Sequence, residues 1–351
     1  MKKLVSFIVC SNGYGHLKRV ISVVNQLNLI DKNIYSIIFI NITHINFLNK
    51  DSHFVINDKK RVIFNTELSE FEPLWNNRLS LDFYKKWNRQ LSKNELLKKS
   101  DLIVSDNHLS PLASFDNVII MGSFLWIDIE NESNNIDKIV NYENNLLIEK
   151  KPVVICQKDL VMKSIIDKAK PIKLPWFCSG SNRIDFKLKN DILITGGGTK
   201  NNNQSLIELI KSIHKKNKSF KFFVDKNLYN SFEKENFKIV NEFDYKENSF
   251  LKLKYVICRP GMGILTECIK YNIVPITLDF NDNNEMKNNS RIISNLKLGR
   301  FFNISNKADF NSNEIIRFLE DSKSYKLYLK NIKNQLKGGH IEAAKTIISM
   351  I

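Results

Sequence analysis

The sequence lacks long hydrophobic runs and paired cysteines. No stretch of its 351 residues approaches the roughly 18 consecutive apolar residues of a membrane-spanning helix. Its five cysteines lie far apart, and none belongs to a C-x-x-C pair. These absences argue against a membrane span, a disulfide framework and a zinc site, and they favour buried thiols in a cytosolic protein. The cysteines are Cys10, Cys156, Cys178, Cys258 and Cys268.

Several motifs that mark known kinds of site are also missing. The sequence contains no Walker A motif, no D-x-D metal motif and no helix-turn-helix, zinc-finger or RNP-like signature. The segment from Gly13 to Arg19 fails as a dinucleotide fingerprint, because Lys18 stands where the third glycine belongs and the second strand ends at Asn41. We therefore expect no cofactor, no resident metal and no nucleic-acid partner.

The amino terminus resembles a secretory signal only superficially. A basic start, Met1-Lys2-Lys3, precedes the apolar run from Leu4 to Cys10. That run is short, and it leads straight into a polar turn with no cleavage-like segment. A first buried strand is the better interpretation.

The formal net charge is +16, yet the lysines occur in scattered pairs and form no basic block. A solvated surface is the preferred explanation of this pattern, and an anionic partner such as a membrane face, a nucleotide or a nucleic acid is the alternative. We expect a cytoplasmic protein, and we leave open a peripheral contact with the inner face of the membrane.

The two halves of the chain repeat one theme of strand, glycine turn and helix. In the first half a strand from Leu4 to Cys10 is followed by a turn at Gly13 to Gly15 and a helix from Leu17 to Leu29. In the second half a strand from Asp191 to Thr195 precedes three glycines and a helix from Gln204 to His214. Apolar strands that alternate with helices predict parallel sheets buried on both faces.

Other segments divide the chain. The prolines Pro171 and Pro175 and the polar stretch from Ser179 to Asn182 predict an interdomain linker. A final helix over about 322–351 contains Gly338-Gly339, which is expected to kink or split it. Residues 64–99 are rich in aromatic residues at helical spacing, which indicates either a packed helical pair or a lid that faces the acceptor or a membrane.

The first candidate site follows the first strand. His16 stands at a helix start at the carboxyl end of that strand, where ligands bind in open α/β sheets. Asp106 ends another strand and is a candidate to orient His16 for acid–base catalysis. The alternatives are a structural histidine and an aspartate that caps a turn, and His108 is a rival base in a polar loop.

The second candidate site spans Cys258 to Glu267, between two apolar runs. Gly261 and Gly263 let the backbone approach a ligand, and the amides of the following helix attract phosphate. Glu267 falls one helical turn later, where a carboxylate can reach a pair of sugar hydroxyls. The glycine turn from Thr195 to Thr199 predicts either a second phosphate contact or a simple tight turn. The polar segment from Asn284 to Asn289 fits hydroxyl recognition or a capped helix start.

Together these residues resemble the GT-B glycosyltransferase superfamily over nearly the whole chain. The second half is similar to the enzymes that add N-acetylglucosamine to lipid-linked peptidoglycan precursors, which carry Cys-Arg-Ser-Gly and a later ribose-binding glutamate. Pro260 replaces that serine here, and Met286 replaces the glutamine of the family's E-Q-x-x-N pattern. The matching residues are Cys258, Arg259, Gly261 and Glu267, Glu285 and Asn289, the base-reading segment from Asn241 to Asp244 around Phe243, the turn Gly13, Gly15 and His16, and Asp106 with the stretch from Ser123 to Trp126.

The resemblance implies a GT-B fold, with two Rossmann-like domains whose parallel sheets face a central cleft. It implies an acceptor-binding domain over 1–172, a nucleotide-sugar-binding domain over 188–330 and a C-terminal helix over 331–351 that returns to the first domain. The implied enzyme is a hexosyltransferase that inverts the sugar, needs no metal and uses a nucleotide-diphosphate sugar, with UDP favoured. The implied acceptor is a hydroxyl, on a lipid-linked molecule if the likeness extends that far, in the synthesis of a bacterial cell-surface glycan or glycolipid.

The resemblance also assigns roles to single residues. His16 is the base and Asp106 orients it, while Glu267 binds the ribose. The remaining nucleotide-sugar contacts fall to Gly13, Gly15, Gly197, Gly198, Thr199, Phe243, Arg259, Gly261, Gly263, Glu285 and Asn289.

A second family is a near neighbour. The nucleotide-sugar hydrolases of the pseudaminic acid pathway share the motif G-x-G-H-x-x-R, which Gly13 to Arg19 matches at every defined position. In those enzymes water takes the place of the acceptor. A hydrolase or epimerase therefore remains open beside the transferase, as does a non-catalytic nucleotide-sugar-binding protein.

Overall fold

The computed structural model describes residues 2–11, 13–48, 54–70, 81–125, 128, 136–181, 191–197, 203–234, 239–280, 283–304 and 312–351. The chain forms two compact units. Unit 1 consists of residues 1–177 together with 338–351, and unit 2 consists of residues 178–337.

Unit 1 contains a seven-stranded sheet in the order β3-β2-β1-β4-β5-β6-β7, and every neighbouring pair is parallel. The strands β1 and β4 are neighbours, with Ile8 paired to Ser105, so the turn after β1 lies beside the end of β4. The strands are β1 (Lys3–Ile8), β2 (Ile34–Phe39), β3 (Val62–Asn65), β4 (Leu102–Asp106), β5 (Val118–Met121), β6 (Val153–Gln157) and β7 (Lys170–Leu174).

The helices of unit 1 cover both faces of this sheet. Alternate residues of β1 belong to two different core clusters: Val5 and Phe7 to one, Leu4 and Ile8 to the other. Successive side chains of a strand point to opposite faces, so both faces are buried. The helices are α1 (Tyr14–Ile30), α2 (Ile42–Leu48), α3 (Leu81–Lys93), α4 (Glu95–Lys98), α5 (Ile136–Lys150), α6 (Lys163–Lys168) and the C-terminal α14 (Gly339–Ile348), which packs on α1.

Unit 2 contains a six-stranded parallel sheet in the order β10-β9-β8-β11-β12-β13. The strand order reverses beside β8, where Thr195 pairs with Cys258 of β11. Ligands of open α/β sheets bind at such a reversal. The strands are β8 (Asp191–Thr195), β9 (Lys221–Val224), β10 (Val240–Glu242), β11 (Leu253–Cys258), β12 (Val274–Asp279) and β13 (Arg300–Asn303). The helices are α7 (Asn203–Lys216), α8 (Lys226–Lys234), α9 (Glu247–Phe250), α10 (Met262–Tyr271), α11 (Asn284–Asn295), α12 (Ser312–Glu320) and α13 (Ser322–Lys333).

The predicted α/β class with two parallel sheets is confirmed, and two details of the prediction change. Pro171 lies inside β7 and not in a linker; β7 is an edge strand, where a residue without an amide hydrogen is tolerated. The last helix splits into α13 and α14, as predicted, but only residues from Gly338 onward belong to unit 1. Helix α13 ends at Lys333, and Gly338, with a φ of 100°, precedes α14.

None of the helices in the described part of the chain combines the length and apolar character needed to cross a bilayer.

Candidate functional site

The polar centre of unit 1 lies where β1 and β4 end. His16 is in the first turn of α1 and Asp106 is the last residue of β4. The structure brings them together, with 2.7 Å between Nδ1 of His16 and Oδ2 of Asp106. A carboxylate that accepts a hydrogen bond from Nδ1 leaves Nε2 as the basic nitrogen of a neutral imidazole. The pair therefore has the geometry of an oriented general base.

Arg19 completes this centre, and the sequence analysis did not assign it a role. Its guanidinium donates to Oδ1 of Asp106, which is fully buried. Burial alone would raise the pKa of Asp106, but the charges of Arg19 and His16 and their hydrogen bonds hold that pKa well below its ordinary value. Asp106 is therefore ionised at neutral pH and acts as a hydrogen-bond acceptor for both neighbours.

Asn107 holds the other side of Arg19. Its Oδ1 accepts from Arg19 at 3.1 Å, and its Nδ2 donates to the carbonyl of Phe124 at 3.0 Å. Asn107 has a φ of 63°, a left-handed conformation that asparagine tolerates better than most residues. A Cβ on Gly122 would overlap with the Asn107 side chain, so only glycine fits at position 122.

The aromatic neighbours of His16 and His108 distinguish these two candidate bases. The ring of His16 meets the ring of Phe124 edge-on, with centroids 6.2 Å apart. His108 is buried, and its ring packs against Trp87 at 5.9 Å, so it is a weaker candidate for contact with an acceptor. Gly13 precedes α1 with a φ of 115°, and Gly15 lies in the first turn of that helix. Trp126 lies outside the described residues.

In unit 2 the glycine turn after β8 is held by Asp225, which the sequence analysis missed. One oxygen of this buried carboxylate accepts from Oγ1 of Thr195 at 2.9 Å and from the amide of Gly196 at 3.2 Å. Gly197 has a φ of 73°, and its amide donates to Oγ1 of Thr195 at 3.1 Å. Gly197 therefore shapes the turn, and its phosphate contact stays a prediction. Gly198 and Thr199 lie outside the described residues.

The amino end of α10 is the clearest anion-binding feature of unit 2. Gly261 precedes the helix without a side-chain cap, and the first turn contains no acidic residue. The amides of Met262, Gly263 and Ile264 stand at the positive end of the helix dipole. The amide of Arg259 donates to the carbonyl of Thr195 at 3.2 Å, so the turns after β8 and β11 are bonded to each other.

Two predicted residues of α11 lie at this end of α10, and a third predicted residue, Glu267, lies within α10. Glu267 is 6% exposed and lies in the same helix, one turn beyond Gly263. Asn289 of α11 donates to the carbonyl of Pro260 at 2.9 Å and approaches Oε1 of Glu285 at 3.4 Å. The predicted glutamate and asparagine of α11 therefore lie against the Pro260 turn, which is 29 residues earlier in the chain than Asn289.

The ring of Phe243 lies in the core rather than in a binding site. Its centroid is 5.0 Å from that of Tyr245 and 5.0 Å from that of Phe250. Its amide donates to the carbonyl of Val224 at 2.9 Å. The ring of Phe243 thus packs in the aromatic cluster, and its amide is bonded within the sheet. Recognition of the nucleotide base by the backbone carbonyl of Phe243 stays a prediction.

The prediction of buried, unpaired thiols is confirmed for Cys258 at the end of β11 and Cys268 in α10. Burial raises the pKa of Cys258 to about 12, and the pKa of Cys268 is also raised well above its ordinary value, chiefly by burial. Both are free thiols and remain protonated at neutral pH. Within the described residues no group of three or more histidine, cysteine, aspartate or glutamate side chains is arranged to hold a metal ion.

The fold matches known structures over the full chain, although the sequence does not. No protein-family model matches the sequence, and a comparison with curated proteins also finds no match. The structure of the glycotransferase of kitacinnamycin aligns with a TM-score of 0.66 and 10% identity over 100% of this chain and 99% of that one. UGT71G1 of Medicago truncatula, complexed with UDP-glucose, aligns with a TM-score of 0.65 and 12% identity over 99% and 98%. MurG of Acinetobacter baumannii aligns with a TM-score of 0.61 and 11% identity over 99% of each chain. The chain therefore has the GT-B fold.

Proposed function

We propose that the chain is a glycosyltransferase that moves a sugar from a nucleoside diphosphate to a hydroxyl acceptor. The observation that carries this proposal is the pair of partly exposed His16 and buried Asp106, with 2.7 Å between their nitrogen and oxygen. The likeness to a fold found in complex with UDP-glucose supports a UDP-sugar as donor.

In this proposal unit 1 supplies the base. Nε2 of His16 takes the proton from the acceptor hydroxyl as its oxygen attacks the anomeric carbon, and Asp106 stabilises the imidazolium that forms. One direct displacement inverts the anomeric configuration. Base catalysis of this kind contributes about 10²–10⁴-fold to the rate.

Unit 2 binds the donor. The amides at the start of α10 stabilise the negative charge that develops on the leaving diphosphate. Glu267 accepts hydrogen bonds from the ribose hydroxyls, and Glu285 with Asn289 stands beside the glycine turn, where the sugar would lie. Helix amides replace a divalent ion in this scheme. The motif resemblance of the second half to the enzymes that act on lipid-linked peptidoglycan precursors favours a lipid-linked acceptor in cell-surface glycan synthesis, on the cytoplasmic side of the membrane.

A nucleotide-sugar hydrolase is the second candidate. The contact of Arg19 with Asp106 favours it, because Arg19 is the last residue of the motif shared with the pseudaminic-pathway hydrolases. Water would replace the acceptor hydroxyl, and His16 would have the same role.

The experiment is a panel of UDP-, GDP- and CMP-sugars with purified protein, with and without hydroxyl acceptors. Release of nucleotide that requires an acceptor, together with an inverted product by NMR, supports the transferase. Release of free sugar without any acceptor supports the hydrolase. Binding of a nucleotide sugar without turnover contradicts both enzymes.

Two histidine variants test the base. His16→Ala should abolish turnover and leave UDP binding unchanged, because His16 lies in unit 1, whereas the residues proposed to hold the ribose and the diphosphate lie in unit 2. His108→Asn is the matched control and should retain turnover. Near-normal turnover in His16→Ala would remove His16 from the mechanism.

A further inference from the structure

A surface pocket of unit 1 is separate from the residues assigned above. It has a volume of about 510 Å³, within the range of small-molecule sites. Helix α3 forms one wall with residues at positions i, i+3, i+4 and i+7, which lie on one helical face. The end of a short 3-10 turn (Ser110–Ala113) and helix α5 form the rest. The lining side chains are Lys85, Asn88, Arg89, Ser92, Ser114 and Tyr142, with Ala113.

Both charged groups that line the pocket are cations. Lys85 and Arg89 are exposed, and neither forms an ion pair with a carboxylate within the part of the chain that the structure describes. The Nε of Arg89 donates only weakly to the carbonyl of Lys85, at 3.4 Å, so the outer nitrogens of the guanidinium remain for a ligand. The planar guanidinium fork matches the oxygens of a phosphate group.

The walls of the pocket are fixed from behind. Tyr84, on the buried side of α3, donates its hydroxyl hydrogen to the buried carboxylate of Glu143 in α5. Asn88 donates to the hydroxyl oxygen of Tyr142 at 2.8 Å, which leaves the Tyr142 hydrogen as a donor. These two bonds tie α3 to α5, so the helix face that carries the cations and the hydroxyl of Tyr142 are held in place before a ligand arrives. Glu143 is the acidic residue in these contacts, and its carboxylate accepts the hydrogen bond from Tyr84 on the side of α3 away from the pocket.

We propose that this pocket binds a phosphate group through Lys85 and Arg89, with the hydroxyls of Tyr142 and Ser114 as further donors. The phosphate belongs either to a soluble phosphorylated molecule or to a lipid headgroup, since both present the same chemistry. This inference does not depend on sugar transfer and stands or falls separately from it.

Binding of inorganic pyrophosphate, measured by calorimetry at low salt with saturating UDP to occupy the diphosphate site proposed in unit 2, tests the proposal. The double variant Lys85→Gln/Arg89→Gln should lower the affinity at least about tenfold, since it removes two charge-assisted contacts. The control Lys86→Gln/Lys93→Gln makes the same change of charge on α3 outside the pocket and should leave the affinity within about twofold. Both double variants change exposed residues and should fold normally.

A third variant adds a negative charge to the pocket instead of removing positive charge. Ser114→Glu places a carboxylate beside the two cations and should abolish pyrophosphate binding without a change in thermal stability. Equal loss in both double variants would show that overall charge is responsible and would overturn the proposal. No measurable binding to the unmodified protein, or binding that all variants retain, would also overturn it.

Vesicles distinguish the two sources of phosphate. Sedimentation with phosphatidylcholine vesicles that contain phosphatidic acid, compared with phosphatidylcholine alone, reports headgroup binding. Cosedimentation that requires phosphatidic acid and is lost in Lys85→Gln/Arg89→Gln assigns the pocket to lipid. Pyrophosphate binding without such cosedimentation assigns it to a soluble phosphate.

Discussion

At the scale of single residues, the centre of unit 1 is a buried ion cluster rather than an isolated histidine. Asp106 is in contact with Arg19 and His16. Both residues stabilise the ionised form of its carboxylate through their charges and hydrogen bonds. Removal of one member of a buried ion pair leaves the other charge without compensation, which costs about 3–5 kcal/mol. This cluster therefore stabilises the fold as well as orienting the base.

Asp106→Asn should lower the free energy of unfolding by about 3–5 kcal/mol near neutral pH. Because the pKa of Asp106 is lowered in the folded state, its contribution is present above the ordinary carboxylate pKa of about 3.9 and is lost as the pH falls toward the folded value. The difference between the two proteins should thus persist from about pH 5 to 8 and should narrow below about pH 4. Urea denaturation over this range measures it.

The control for this measurement is Asp101→Asn, at the exposed amino end of the same strand segment. Its ion pair with Lys3 is at the surface, at 3.3 Å, so the loss should be below about 1 kcal/mol. A loss in Asp106→Asn as small as that of Asp101→Asn would contradict the buried cluster.

Glu267→Gln should weaken UDP binding about tenfold or more, because a hydrogen bond to a charged group contributes about 1.5–3 kcal/mol. Glu208→Gln, at an exposed position of α7 in the same unit, is the matched control. Calorimetry with UDP gives both affinities. Unchanged binding in Glu267→Gln would remove this residue from the ribose site.

The sequence contains a local signal that places Arg19 beside His16. Arg19 follows His16 by three residues, so a helix that starts at the glycine turn places both side chains on one face. No comparable signal exists for the contact of Asn107 with Arg19 or for that of Asp225 with Thr195. Each joins residues that are far apart in the chain, and a single sequence does not specify such pairs.

At the scale of elements, the start of α14 is pinned to the end of the β7 segment. The amide of Gly339 donates to the carbonyl of Trp176 at 2.9 Å, and a Cβ on Gly339 would overlap with the carbonyl oxygen of Pro175. Gly339→Ala should therefore lower the free energy of unfolding by about 1–3 kcal/mol, the usual cost of overpacking. Gly180→Ala is the control, because its nearest neighbour would be the flexible Lys337 side chain at 3.7 Å. Chemical denaturation compares them, and equal stabilities would show that α14 adjusts freely.

The local sequence pattern predicted the positions of strands and helices more accurately than it predicted their tertiary contacts. The strand Asp191–Thr195 occurs as predicted, because apolar runs of this length are buried on both faces of a parallel sheet. The pattern misplaced Pro171, which reads as a linker residue but lies in an edge strand. The contacts of the Phe243 ring with Tyr245 and Phe250 did not follow from the pattern, because local sequence does not show which aromatic residues surround it.

At the scale of the whole molecule, the C-terminal helix α14 belongs to unit 1, which the amino-terminal residues 1–177 otherwise form. Ile347 of α14 is part of the core cluster of unit 1, whereas Ile332 of α13 is fully buried in unit 2. Each isoleucine is in a different core, so truncation of each side chain should destabilise a different unit.

Ile347→Ala and Ile332→Ala are therefore a matched pair, each expected to cost about 2–5 kcal/mol in its own unit. Scanning calorimetry of the unmodified protein should show two transitions. Ile347→Ala should lower the melting temperature of one, and Ile332→Ala that of the other. A single transition lowered equally by both variants would show that the two units unfold as one.

Activity in the proposed reaction should survive EDTA. The leaving diphosphate needs positive charge, and the amino end of α10 supplies it without a cation, since no acidic residue stands in its first turn. A divalent ion would need two or more converging oxygen ligands. Asp279 is buried at the end of β12, and Asp282 lies outside the described residues. Equal rates in EDTA and in added magnesium support the amide mechanism. Loss of activity in EDTA that magnesium or manganese restores would instead identify these aspartates as the first candidates for metal ligands.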